Sequence, residues 1–152
     1  VVGLIVTMWL YLFLVADPDI PDQLDDPAFP VAAEEVCAEV AAEIEDLPLA
    51  QDMTTPEERG ALVTEANDLL AATLVDLRAI APTDGQDARL TRLWLEDWDT
   101  SLADRVAYAE QLSEGEDVEL LVTARAGDQI TETIDNFARV NDMLSCSVPL
   151  DA

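Results

Sequence analysis

Residues 55–80 read TPEERGALVTEANDLLAATLVDLRAI, and this stretch decides the fold. Thr55 is a good N-cap residue, Pro56 stands at the first helical position, and Glu58 is spaced to return a hydrogen bond to the Thr55 N–H. Together they predict a capping box that opens a helix. Behind it, Leu62, Val63, Ala66, Leu69, Leu70, Thr73, Leu74, Leu77 and Ile80 recur at three- and four-residue intervals, the period of one helix face. Pro82 lies just past the end.

Further helices flank this one. Thr83-Asp84-Gly85-Gln86 reads as a second capping box, opening a helix that runs to about Ser113, before Gly115. Its inward positions are Leu90, Trp94, Trp98, Leu102, Ala109 and Leu112. Upstream, a helix is expected from about Val31 to Leu47, with Ala33, Val36, Cys37, Val40, Ile44 and Leu47 inward and Pro48 ending it. A last helix is expected from near Asp128 to near Leu144, with Ile130, Ile134, Phe137 and Ala138 inward. Between the third and fourth helices, Val118–Ala126 reads VELLVTARA. A lone strand there has nothing to pair with, so helix or loop is expected.

The chain begins with VVGLIVTMWLYLFLVA, residues 1–16, which carries no charge. As a helix it spans roughly 24 Å, against the about 30 Å of a bilayer core. Asp17-Pro18 forbids extension on the C-terminal side, so the missing turn is expected before Val1, in a chain truncated at its N-terminus. A cleaved signal peptide fits less well, because cutting after Ala16 puts Leu14 at the −3 position; a buried core helix is the other alternative. Residues 17–30 hold Asp17, Asp19, Asp22, Asp25 and Asp26 among Pro18, Pro21, Pro27 and Pro30, which reads as an extended acidic linker. The expected fold class is therefore all-α: an N-terminal transmembrane helix (1–16), a linker (17–30) and an antiparallel four-helix bundle (31–152) with one core. The expected localisation is a single-pass membrane protein with its N-terminus cytoplasmic and its C-terminal domain outside, at the cell surface or in a periplasm.

Composition excludes several functions. The chain has 152 residues, with 33 Asp+Glu against 7 Lys+Arg, a formal net charge of −26. All the bases are Arg, and Lys and His are absent. A surface this acidic does not grip phosphate backbones, so nucleic acid is not an expected partner. Without His there is no Ser-His-Asp or Cys-His pair and no His-bearing metal site; without Lys there is no Schiff base and no P-loop. With so many acids, carboxylate pairs arise by chance, so an enzyme is not expected and no cofactor is implied. The Lys-free acidic exterior fits solubility at high salt, and predicts a salt-tolerant source.

The two cysteines test the topology. In an up-down-up-down bundle an even number of helices returns the chain to its starting end, which brings Cys37 and Cys146 together. The expected disulfide closes a loop of about 110 residues, worth roughly 4–5 kcal/mol in the chain-entropy model. Two free thiols and a redox pair are the alternatives; no CxxC motif supports the latter.

Candidate binding residues come from polar groups on the apolar stripes. At 100° per residue Arg105 falls within about 20° of the line joining Trp94 and Leu112, so it points inward and needs partners. Asn67 lies at a similar height, with Glu39 or Glu43 as the acidic partner. Asn141 lies lower, near Ser101 and the Trp98 indole. One reading makes these layers fix helix register. The other makes Trp94, Trp98 and Tyr108 frame a cleft in which Arg105, Asn67 and Asn141 hold an anion, such as a carboxylate. Acidic groups also recur at Glu35, Glu39 and Glu43, at Asp97, Asp99 and Asp104, and at Glu114, Glu116, Asp117 and Glu119. They could hold Ca²⁺ or Mg²⁺, but there is no DxDxDG loop and no Glu-x-x-His pair, and no metal ligand is assigned. The expected function is a non-enzymatic, membrane-anchored interaction module or accessory subunit of a membrane complex, anchored by residues 1–16 and facing a membrane-protein partner. A small-anion sensor and a carboxylate-based divalent-cation binder are the alternatives.

Overall fold

A computed structural model describes residues 21–125 and 127–149. Four helices dominate: α1 (Ala28–Glu45), α2 (Pro56–Ile80), α3 (Gly85–Ser113) and α4 (Ile130–Val140). Short 3-10 turns cover Ala50–Asp52 and Leu144–Cys146. The protein is mostly helical, as the periodicity predicts.

The local signals explain most boundaries. At α2 the capping box forms in full: the Glu58 N–H donates to the Thr55 hydroxyl at 3.2 Å, and the Thr55 N–H donates to the Glu58 carboxylate at 3.2 Å. The second expected capping box does not form. Asp84 makes no side-chain cap, and the carboxylate of Asp87, one turn in, accepts instead from the Asp25 and Asp26 N–H groups. α3 ends at a left-handed Gly115 (φ 85°), with the Glu116 N–H returning to the Gln111 carbonyl. This is a Schellman closure, for which glycine is the usual residue. α1 starts three residues before Val31, because Pro30 stands in its first turn, where a missing N–H costs nothing.

α2 and α3 form a long antiparallel hairpin: Gly60 lies against Ser113 and Ala109, Asn67 against Arg105, and Arg78 against Asp99. α1 and α4 cover one end of it. There the main core gathers Phe29, Ala33 and Cys37 of α1, Leu70, Leu74 and Leu77 of α2, Trp94 and Trp98 of α3, and Ile134 and Phe137 of α4. Trp94 is its hub, stacked on Phe137 at 5.2 Å and edge-on to Phe29 and Trp98 at 6.2 and 6.5 Å. A smaller cluster of Val63, Ala109 and Leu112, with Tyr108 and Val118 against it, fills the other end.

Cys37 and Cys146 are joined as predicted, with Cα atoms 5.1 Å apart. The bond fastens the 3-10 turn after α4 to α1. Around it, Ser145 donates from its N–H and hydroxyl to the Glu34 carboxylate at 3.0 and 2.7 Å.

Four expectations are corrected. First, the single-pass membrane localisation does not stand: among the described residues no helix is long and apolar enough to cross a membrane, and Val1–Ala16, the proposed anchor, lies outside the described residues. Second, the described part of the linker is no free spacer. Leu24 is buried, its N–H donates to Asn141 Oδ1 at 2.8 Å, and the Asn141 amide donates back to the Asp22 carbonyl at 3.0 Å. Third, the Val118–Ala126 segment does find a strand partner. Residues 124–125 (β1) pair antiparallel with residues 128–129 (β2), in register Ala124–Gln129 and Arg125–Asp128. Gly127 (φ 105°) makes so tight a turn feasible. Fourth, α4 is shorter than expected at both ends. Its start is taken by β2, and it closes at Asn141 with Asp142 left-handed (φ 58°) and the Met143 N–H returning to the Ala138 carbonyl at 2.8 Å.

Candidate functional site

A large apolar cleft opens beside the main core. Val40, Ala41 and Ile44 of α1 form one wall, with Leu47, Pro48 and Leu49 just beyond it. Leu62, Leu70, Thr73, Leu74 and Leu77 of α2 form the opposite wall, and residues 144–149 close the end, with the Cys37–Cys146 bridge and Trp98 among the lining groups. Its volume is about 600 Å³, within the usual range for ligand sites. The helical stripes explain it. The apolar residues in the C-terminal turns of α1, Val40, Ala41 and Ile44, are only half-buried. Leu49 and Leu144 stand on its rim at 47% and 66% exposure. Among the described residues Glu45 is the one charged group in the lining, and no basic side chain lines it.

A second feature lies between the two core clusters. Arg105 is 3% exposed, and its Nε–H donates to Asn67 Oδ1 at 2.8 Å; Asn67 is itself buried. Their heights on the two helices predict this pairing. The acidic partner is not there. Glu39 and Glu43 of α1 face solvent, and among the described residues no carboxylate lies within ion-pair distance of Arg105. Arg105 Nη2 and Asn67 Nδ2, both buried donors, find no acceptor among the described residues. Burial pushes the guanidinium below the usual arginine range, opposed weakly by Tyr108.

The six candidate ligand residues thus separate. Arg105 and Asn67 meet each other, and Trp98 faces the cleft, which neither of them lines. Trp94 is packed as the core hub, with its indole N–H on the Ile134 carbonyl at 3.3 Å. Tyr108 packs at the far cluster. Asn141 does not reach Ser101 or the Trp98 indole: its amide donates to the Asp22 and Phe137 carbonyls, and the Trp98 N–H finds no acceptor. The aromatic cleft around Arg105 is therefore not formed as expected.

The acidic groups also divide by role. Among the described residues no set of three or more Cys, Asp or Glu side chains is gathered to hold a metal ion. Asp97 and Asp104 instead fasten the segment after α3. Asp97, buried at 4% exposure, pairs with Arg125, and Asp104 accepts from the Thr123 N–H and hydroxyl at 2.7 and 2.9 Å. The signal for Asp97 was its place one turn from Trp94 and beside Trp98, on the buried side of the wheel. No protein-family model matches the chain, and no curated protein or solved structure is similar to it.

Proposed function

We propose that the chain is a non-enzymatic interaction module, and that its apolar cleft receives the apolar face of a basic amphipathic helix from a partner protein. The observation that carries this reading is an apolar cleft with two exposed leucines on its rim in a protein of net charge −26. Helix-in-groove recognition needs an apolar trough for residues at i, i+3, i+4 and i+7, and the apolar residues of α1 and α2 that line the cleft support such a trough. The charge selects the sign of the partner. An acidic surround attracts Lys and Arg on the polar face of the incoming helix and repels an acidic one. A carboxylate ligand has no counter-charge in this cleft, which weighs against the anion-sensor reading at this place.

The test is a titration of the oxidised protein with two helical peptides that share an apolar face, one with a Lys/Arg polar face and one with an Asp/Glu polar face. Trp98 in the cleft gives a fluorescence signal. Saturable binding of the basic peptide alone, weakened at least tenfold by Leu144→Asp, supports the reading. Binding of neither peptide, or equal binding of both, sinks it. A fluorescence response to a neutral apolar small molecule with none to the peptides would mark the cleft as a small-ligand pocket instead.

A further inference from the structure

The Arg105–Asn67 pair has a chemical mismatch that a different residue choice would have removed. The Nε and Nη2 groups of arginine form one edge of its fork, suited to the two oxygens of a carboxylate. Asn67 fills only half of that role. Nε–H can only donate, so the Asn67 amide must turn its oxygen toward it, and that leaves Nδ2 as a second donor on the same amide. The result is two buried donors, Arg105 Nη2 and Asn67 Nδ2, flanking one hydrogen bond, with no acceptor for either among the described residues. The site also carries a full positive charge without a carboxylate beside it. A buried unpaired charge is strongly destabilising. A neutral acceptor would satisfy the donors and leave the charge, whereas an anion satisfies both.

We propose that Arg105 and Asn67 hold a small monovalent anion of chloride size inside the α2–α3 hairpin. The size follows from closure: Arg105 and Asn67 are 3% and 4% exposed, and neither lines the cleft beside the main core. The protein's net charge of −26 opposes entry of any anion at low ionic strength. Screening shortens that repulsion to roughly 3 Å at about 1 M salt, so occupancy rises with salt for two reasons, mass action and screening.

The test separates the bound anion from screening. Thermal melts of the oxidised protein are recorded as NaCl replaces sodium isethionate at constant total sodium, so that ionic strength does not change. The expected result is a saturable rise in melting temperature with chloride, reproduced by bromide. Asn67→Asp supplies the missing carboxylate oxygen, so it melts higher than the parent in isethionate and shows no chloride-specific rise. Arg105→Met also loses the rise, and Asn67→Asp decides the matter if Arg105→Met does not fold. Chloride-35 NMR line broadening gives the direct readout, present for the parent and lost in Asn67→Asp. Coincident chloride and isethionate curves for the parent, or a chloride-specific rise that survives in Asn67→Asp, overturns the proposal.

Discussion

Gly60 marks a close approach of α2 to α3. A Cβ built there would lie 2.7 Å from the Ser113 hydroxyl and 3.0 Å from the Ser113 backbone nitrogen. The hydroxyl cannot easily give way, because it donates to the Ala109 carbonyl at 2.8 Å. Two effects therefore oppose each other in Gly60→Ala. Helix propensity favours Ala by about 1 kcal/mol, while overpacking costs about 1–3 kcal/mol, and here the obstructing atoms include backbone. The variant is expected to lose about 1 kcal/mol net in urea denaturation; a gain would show that the hairpin can open at that point. The same scale shows what a sequence discloses. Thr55 and Glu58 were legible because a capping box is local: four consecutive residues determine every bond in it. The carboxyl of Glu58 is held below its ordinary range first by the Thr54 N–H, then by the Thr54 hydroxyl and the Thr55 N–H. Arg105 was half legible. Its inward angle and its height opposite Asn67 follow from helix geometry, but the lack of a carboxylate depends on how α1 is rotated, and α1 turns Glu39 and Glu43 to water.

Elements were legible where a residue type carried their boundary and illegible where tertiary bonds did. α3 stops at Gly115, a residue that declares a left-handed turn in advance. α4 stops just as sharply with Asp142 in that conformation, and nothing in Val140-Asn141-Asp142 announces it. The fully buried Met143 drives the chain inward there, supplying the apolar contact that accompanies a Schellman closure. Asn141 is then free to bond sideways, and it ties the segment around Leu24 to the end of α4 through two hydrogen bonds, while its amide also donates to the Phe137 carbonyl within α4. Replacing it with Leu leaves the buried Leu24 N–H unpaired, an effect of about 1–3 kcal/mol. Asn141→Leu is therefore expected to destabilise the protein by about 2 kcal/mol and to expose the Leu24 amide to hydrogen exchange. Unchanged protection of that amide would show that Phe29 and Pro30 alone hold the segment down. The β1–β2 pair escaped notice for a related reason. Its second strand was concealed in residues that also read as the start of a helix.

At the scale of the whole molecule, charge and cross-link dominate. Among the described residues Arg59, Arg78 and Arg92 pair with carboxylates at the surface and Arg125 with the buried Asp97, and 7 Lys+Arg against 33 Asp+Glu leave most of the acids without a counter-charge. Surface pairs of this kind contribute little individually, and the surplus repels itself. The melting temperature is therefore expected to rise between about 0.05 and about 1 M NaCl, where the Debye length falls from over 10 Å to about 3 Å. A fall over that range would show that repulsion is not what limits stability. The disulfide was legible at this scale because counting helices suffices to place its two ends. The apolar cleft was not, because its lining comes from α1, α2, Trp98 of α3 and residues 144–149, and no stripe records how far apart its partners stand.

That cross-link also decides how the domain carries force. Cys37 and Cys146 are separated by 109 positions in sequence and by 5.1 Å in space. Tension applied to the two ends of the chain runs through this covalent shortcut, so residues 38–145, α2 and α3 among them, cannot be drawn out while the bond is intact. Reduction would release the enclosed chain, adding roughly 360–390 Å of extensible length at about 3.3–3.6 Å per residue. In mechanical terms the oxidised domain is a short, stiff link with a slack loop held in reserve.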